Sequence, residues 1–162
     1  MIIVKAQDKD IPAILSLVQS QKLYLKEKGI PQWQGPYPNI ETFKEDIKLN
    51  RLYILKQDEK IIGIFALVYP DHNYDYVEDG KWSSDTPYVA IHRLCVDNNF
   101  KGKGCASFMF SYLKENYNHL RVDTHALNKA MNNCLLKNDF KYVGIVYMED
   151  KTLRNAYEWL RK

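Results

Sequence analysis

The stretch that most constrains this chain is Val89-Ala-Ile-His-Arg-Leu-Cys-Val96, which leads through Asp97-Asn-Asn-Phe-Lys-Gly-Lys-Gly104 into an apolar-striped run ending at Tyr117. It reads as a buried strand over Tyr88–Val96, a short loop, and a helix over Gly102–Tyr117. The first N–H groups of a helix have no partner one turn back, and the helix dipole adds roughly half a positive charge at the same point. Gly102 and Gly104 let the chain turn tightly and let an anion reach the backbone without meeting a Cβ. Lys101 and Lys103 flank that point with full charges. The physics is that of a phosphate or pyrophosphate cradle, and equally that of a plain glycine-containing connection.

Two familiar phosphate patterns fail here. A Walker loop needs Gly-Lys-Ser/Thr, but Gly104 is followed by Cys105 and Ala106. A dinucleotide fingerprint needs a third glycine or alanine where Ser107 stands. The stretch instead resembles motif A of the GNAT superfamily of acyl-CoA-dependent N-acetyltransferases, whose loop reads Arg/Gln-x-x-Gly-x-Gly/Ala. Gly104 and Ala106 match it, and Lys101 replaces the usual Arg or Gln. A second motif agrees. The superfamily's Asn-x-x-Ala, apolar helix and Gly-Phe correspond to Asn128 through Phe140, with Ala130 one place early and Asp139 in place of the glycine. Trp33…Tyr37-Pro-Asn39 and Ile91-His-Arg93 also look like features of uncharacterised bacterial GNAT proteins.

The rest of the chain is consistent with that resemblance. With 162 residues, 46% apolar and 27% charged, one soluble domain spanning 1–162 is expected. A strand opens the chain without a signal-peptide layout, and no window is long and apolar enough for a membrane span. Three cysteines without paired spacing point to a reducing compartment, so the expectation is cytoplasmic. A net charge of +3 is too weak to imply nucleic acid. Asp10 reads as an N-cap before Pro12, and a helix with Ile11, Ile14, Leu15, Val18, Leu23 and Leu25 inward stops at Gly29 and Pro31. Trp33 and Tyr37 sit on a rigid turn, either capping the core or lining a pocket. Asn39 or Thr42 starts a second helix containing Phe43 and Ile47. Arg51–Lys56 and Lys60–Tyr69 read as a hairpin, and Pro70–Pro87 as a long polar and aromatic loop of the kind that is usually functional or mobile. A strand (Leu120–His125), a helix (Asn128–Asn138, with Ala130, Met131, Cys134, Leu135 and Leu136 inward) and two strands complete the chain. That order gives a mixed α/β (α+β) chain, which by resemblance is the GNAT fold: a mostly antiparallel sheet with one splayed parallel pair and flanking helices.

The resemblance implies acetyl transfer from acetyl-CoA to a primary amine of a small molecule or peptide. The pantetheine arm would lie along the backbone of Leu94, Cys95 and Val96. The pyrophosphate would fall on Lys101, Gly102, Lys103, Gly104, Cys105, Ala106 and Ser107, with Asn128 contacting the arm or an ordered water. Many relatives carry a Glu base on the motif-A strand. None stands here, so His92 is the titratable substitute, on the face shared by Tyr88 and Leu94 unless a bulge reverses the alternation. Its other reading is structural or substrate-positioning, and Asp85 is the runner-up as base. The tyrosine acid of many relatives falls on Leu135, which cannot donate a proton. Trp33, Tyr37, Tyr76, Trp82 and Tyr88 would frame the acceptor, and Asp46, Asp75, Glu78 and Asp85 suggest that it is cationic. Cys95 and Cys134 read as small buried hydrophobes, whereas Cys105 has surroundings that could lower its pKa. His119 and His125 lack metal-ligand spacing, so no metal is expected. The alternatives are a non-catalytic acyl-CoA sensor and a protein Nα- or lysine acetyltransferase; monomer and homodimer both remain open.

Overall fold

A computed structural model describes residues 1–162. The elements run β1 (Ile2–Lys5), α1 (Ile11–Glu27), α2 (Ile40–Lys48), β2 (Leu52–Gln57), β3 (Lys60–Val68), β4 (Val89–Val96), α3 (Cys105–Asn116), β5 (His119–Thr124), α4 (Lys129–Lys137), β6 (Lys141–Tyr147) and β7 (Leu153–Leu160). The strands form one sheet in the order β1-β2-β3-β4-β5-β7-β6. It is mostly antiparallel, and the β4–β5 pair is parallel. The expected element order therefore holds. The chain forms two compact units: 1–67 with 93–109, and 68–92 with 110–162.

In the first unit, β2 is apolar at four successive positions, Leu52 to Leu55, and all four are buried. A run without alternation is what a strand covered on both faces requires. It pairs with β1 on one side and β3 on the other, and Asp58 at positive φ makes the turn between β2 and β3. Ile14, Val18 and Phe43 pack with Ile54, Ile64 and Cys95 in the unit's core. Burying each large apolar side chain there contributes roughly 1.5–3 kcal/mol. Helix α1 ends in a Schellman motif. The Ile30 N–H donates to the Leu25 carbonyl and the Gly29 N–H to that of Lys26, with Gly29 at φ 70°.

Two expectations for α1 need correction. Leu23 is exposed, whereas Leu17 and Gln21 are buried, because the helix phase carries residue 21 inward and residue 23 outward. The Asp10 carboxylate does not cap α1 forward; it accepts the Gln7 N–H in a 3-10 turn that precedes the helix. Helix α2 is opened by Asn39, whose side chain accepts the Thr42 N–H while Thr42 accepts that of Asn39.

In the second unit, β5 pairs antiparallel with β7, and β7 with β6. Tyr74, Ala90, Val146 and Ala156 form a core against which Trp82 and Tyr88 pack. The long 70–87 loop is pinned to β6 by a bridge between Glu78 and Ile145 and by two glycines in close approach. A Cβ on Gly80 would stand 1.7 Å from the Val143 carbonyl oxygen, and one on Gly144 2.6 Å from that of Glu78. Helix α4 buries Leu135 alone; Ala130 and Leu136 point outward, against expectation. Its nine residues have a single line of contact, and the polar Asn132 occupies part of it by accepting from Tyr157 and Asn155. The helix closes as a second Schellman motif, with Phe140 N–H on the Leu135 carbonyl and Asp139 at φ 62° in the place of glycine.

Candidate active site

Strand β4 is broken in the middle. Its parallel ladder with β5 covers Val89, Ala90 and Ile91, and two residues later Arg93 takes φ 54°. A non-glycine residue there is strained by about 1–3 kcal/mol, so something must hold it. What holds it is buried charge. Asp46 takes Arg93 Nε and Nη2 at 2.7 Å each, and Arg93 Nη1 donates to Tyr37 Oη at 2.7 Å. Arg51 shares the same carboxylate. Burial works against the Arg93 charge, but Tyr37 and Asp46 outweigh it and raise its pKa. Asp46 is thus fully buried between two guanidiniums and is not free to recognise a cationic acceptor.

Downstream of the break, Gln21 donates to the Val96 carbonyl and to Asn98, tying α1 to the end of β4. A 3-10 turn covers Asn98–Phe100, and Asp97 caps it by accepting the Asn99 N–H at 2.8 Å. Burial raises the Asp97 pKa, but the Asn99 amide and Lys60 outweigh it and leave the net shift downward. Gly102 (φ 74°) and Gly104 (φ 81°) follow, with nothing within 4 Å of where a Cβ would stand on either. Helix α3 therefore begins at Cys105 and not at Gly102. The Phe108 N–H reaches back to the Gly104 carbonyl and the Cys105 N–H faces its own sulfur, which leaves the Ala106 and Ser107 amides as the unpaired donors of the first turn.

The lysines behave differently from each other. Lys101 Nζ lies 3.1 Å from the Tyr24 ring centroid, and burial lowers its pKa to about 8, with Lys28 adding to the effect and Cys95 opposing it. Lys103 is exposed, with its Nζ 5.3 Å from the Phe100 ring centroid. The Cys105 thiol is buried beside Met1, and desolvation raises its pKa despite Lys103, so the expected activation is not seen. Burial pushes Cys95 up to about 12; it packs as a small hydrophobe. Cys134 is half-buried and also shifted up by desolvation.

In the second unit, His92 is the last residue before the break. Its Nε2 stands 2.5 Å from Asp71 Oδ2, and its ring stacks on Tyr74 at 5.9 Å between centroids. Tyr74 Oη donates to Asp123 Oδ2 at 2.6 Å, and Tyr88 Oη donates to the Asp71 carbonyl. Burial raises the Asp71 pKa, but His92 and the Asn73 amide outweigh it and set the net shift downward. Burial, reinforced by Asp123, raises Tyr74 well above the phenol range, and burial raises Asp123. His92 and Tyr88 share one face, as alternation requires, but the positive φ at Arg93 ends the alternation before Leu94.

The remaining expected residues are distributed as follows. Trp33 packs against the first unit's core. Tyr76 is exposed, and Trp82 donates to the Tyr74 carbonyl. Asp85 is exposed, and its charge reaches Arg121. Glu78 accepts from Tyr147 at 2.6 Å. The Asn128 Oδ1 caps α4 by accepting the Met131 N–H. Leu135, at the position of the absent acid, is fully buried.

Two features were missed in the sequence. One is Asp71 as the partner of His92; the local pattern Asp71-x-Asn73 signals an Asx turn, which forms, but nothing in it points to a residue 21 positions away. The other is a buried network on β5 and β7. Glu158 accepts from His119 at 2.8 Å and from the Ser83 N–H, and the Arg121 guanidinium lies between the rings of Trp82 (4.2 Å) and Tyr88 (4.0 Å). It fixes the loop leading into β4.

Comparison with known proteins gives the family and the fold. Residues 17–140 match the family model described as the Acetyltransferase (GNAT) family. The chain is similar to the crystal structure of a GNAT-family acetyltransferase from Streptococcus agalactiae, at 28% identity and TM-score 0.93 over 99% of this chain and 95% of that one. A putative acetyltransferase from Staphylococcus aureus aligns over 100% of both chains at 26% identity and TM-score 0.73. A ribosomal L7/L12 alpha-N-protein acetyltransferase in complex with coenzyme A shares the fold at 16% identity and TM-score 0.66, over 98% of this chain and 93% of that one. No curated protein sequence matches significantly.

Proposed function

Because this chain belongs to the GNAT acetyltransferase family, we propose that it is an acetyl-CoA-dependent N-acetyltransferase acting on a primary amine of a small molecule or peptide. One observation carries the reading. Behind a strand broken at Arg93 stands a two-glycine turn whose open face a Cβ would fill, leading to the unpaired amides of α3. Such a turn leaves room for a diphosphate to approach the backbone, and the positive φ at both positions favours glycine there. Acetyl-CoA would supply an activated thioester. The amides of Cys105, Ala106 and Ser107, with Lys101, Lys103 and the two glycines, would hold its diphosphate. The backbone of Leu94, Cys95 and Val96 would hold its arm, and Asn128, with its oxygen committed to α4, would offer its amide hydrogens. A backbone N–H of β4 would stabilise the oxyanion. His92 is the side chain best suited to take the amine's proton, with Asp85 as the alternative.

No acid is needed if the thiolate leaves directly, since its pKa lies on the order of that of a cysteine thiol, ~8.5. The fully buried Leu135 is the observation that favours the second reading, an acyl-CoA-binding sensor without turnover. A protein Nα- or lysine acetyltransferase is a third. The family match runs through segments of both units, which supports one acetyltransferase domain, as a monomer or homodimer. No helix is long and apolar enough to cross a membrane; we propose a cytoplasmic protein with neither nucleic acid nor membrane as partner. Thiol release from acetyl-CoA against putrescine, tyramine and short peptides tests the reading. Release with at least one amine is expected. Thermal stabilisation by acetyl-CoA without release from any amine would favour the sensor.

A further inference from the structure

We propose that Asp71 is a positioning residue which fixes the tautomer of His92, so that Nδ1 is the nitrogen that takes the proton of the incoming ammonium. The proposal rests on the acetyl-transfer reading and specifies the base within it. Asp71 divides its two oxygens. Oδ1 accepts the Asn73 N–H at 3.0 Å, and Oδ2 lies 2.5 Å from His92 Nε2. A carboxylate is acceptor-only, so a neutral imidazole must place its one hydrogen on Nε2, which leaves the lone pair on Nδ1, the nitrogen turned away from that carboxylate by the ring's own geometry. The ring is immobilised on a second side by Tyr74, itself locked by Asp123. His92 retains 17% side-chain exposure while Asp71 retains 8%, so the imidazole is the member of the pair that a substrate can reach. When the amine arrives as ammonium, its N–H bond breaks and Nδ1 takes the proton. The nitrogen keeps the pair with which it attacks the thioester carbonyl; the C–S bond then breaks, its electron pair leaves with the coenzyme A thiolate, and that thiolate takes the second N–H proton that the new amide must lose. The imidazolium so formed sits against the Asp71 carboxylate, which stabilises it.

The charged and titratable groups around this pair are Asp71 and His72 on the loop, Tyr74 and Tyr88, and Asp123 with Arg154 from β5 and β7. His72 is exposed and bonded to Asp75. Asp71→Asn is the discriminating change. Its oxygen must remain on the Asn73 N–H, so its NH2 takes the Oδ2 position and donates to Nε2. That would force the hydrogen onto Nδ1 and remove the base while leaving the turn intact.

The test is 15N NMR of the His92 ring in the full chain, together with pH profiles of thiol release using acetyl-CoA and the best amine of the panel. Wild type should show the Nε2–H tautomer and Asp71→Asn the Nδ1–H tautomer. The variant should lose at least roughly 100-fold in kcat/KM for the amine, with KM for acetyl-CoA unchanged. Asp71→Glu should recover part of the loss, and adding His92→Gln to Asp71→Asn should cost little more. An Nδ1–H tautomer in the wild type, or an Asp71→Asn variant with an unaltered rate and pH profile, overturns the proposal. Absence of turnover with any amine while the tautomer and its switch are as stated overturns the acetyl-transfer reading instead.

Discussion

Arg93 and Asp46 form the arrangement on which β4 turns. A left-handed arginine in mid-strand stands only because a fully buried carboxylate grips its guanidinium at two nitrogens. Removing one partner of a buried pair leaves the other charge uncompensated, which costs roughly 3–5 kcal/mol. Asp46→Ala should therefore lower Tm by about 10 °C in a melting experiment, with Arg51 and Arg93 both left facing an apolar site. At Lys101 the consequence is a pH dependence. Burial lowers its folded pKa to about 8 from the 10.5 of a free lysine, so between those pH values the folded chain carries fewer protons at this site than the unfolded chain does. Stability from this residue therefore rises with pH across that window, while attraction for an anion falls as the charge is lost. Acetyl-CoA affinity measured by calorimetry should weaken as pH rises above 8, and Lys101→Arg should flatten the decline.

Among the elements, the two Schellman endings explain a sequence pattern in physical terms. Where the resembling family carries glycine before phenylalanine, this chain has Asp139 at φ 62°, and Phe140 closes onto Leu135. Asp139→Gly should raise stability by up to about 1 kcal/mol, the relief of left-handed strain less the added freedom of the unfolded chain. Gly80→Ala should do the opposite: its Cβ has no room against the Val143 carbonyl, so the 70–87 loop must lift from β6. Lower Tm and faster proteolysis within that loop would register the change. These elements also mark what the sequence made legible. The hairpin, the stop of α1 at Gly29 and the glycine turn followed from apolar period and glycine, which act locally, whereas the Asp10 cap expected at the start of α1 does not form. The outward Leu23, Ala130 and Leu136 did not, because an apolar residue is no guide to helix phase when a polar one such as Gln21 or Asn132 takes the inner place. Nor did the Asp71–His92 and Glu158–His119 pairs, which join residues 21 and 39 positions apart.

At the scale of the whole molecule, a strand with a held left-handed arginine runs on into a two-glycine turn, the place proposed for the diphosphate of acetyl-CoA. Gly104→Val would place a β-branched side chain at φ 81° and fill the open face. The turn lies outside the packed core, so the variant should remain folded while losing the ligand. Isothermal titration of wild type and Gly104→Val with acetyl-CoA tests this directly. Saturable one-to-one heat is expected for the wild type and none for the variant; no heat from the wild type, or equal heat from both, would contradict a diphosphate site at this turn.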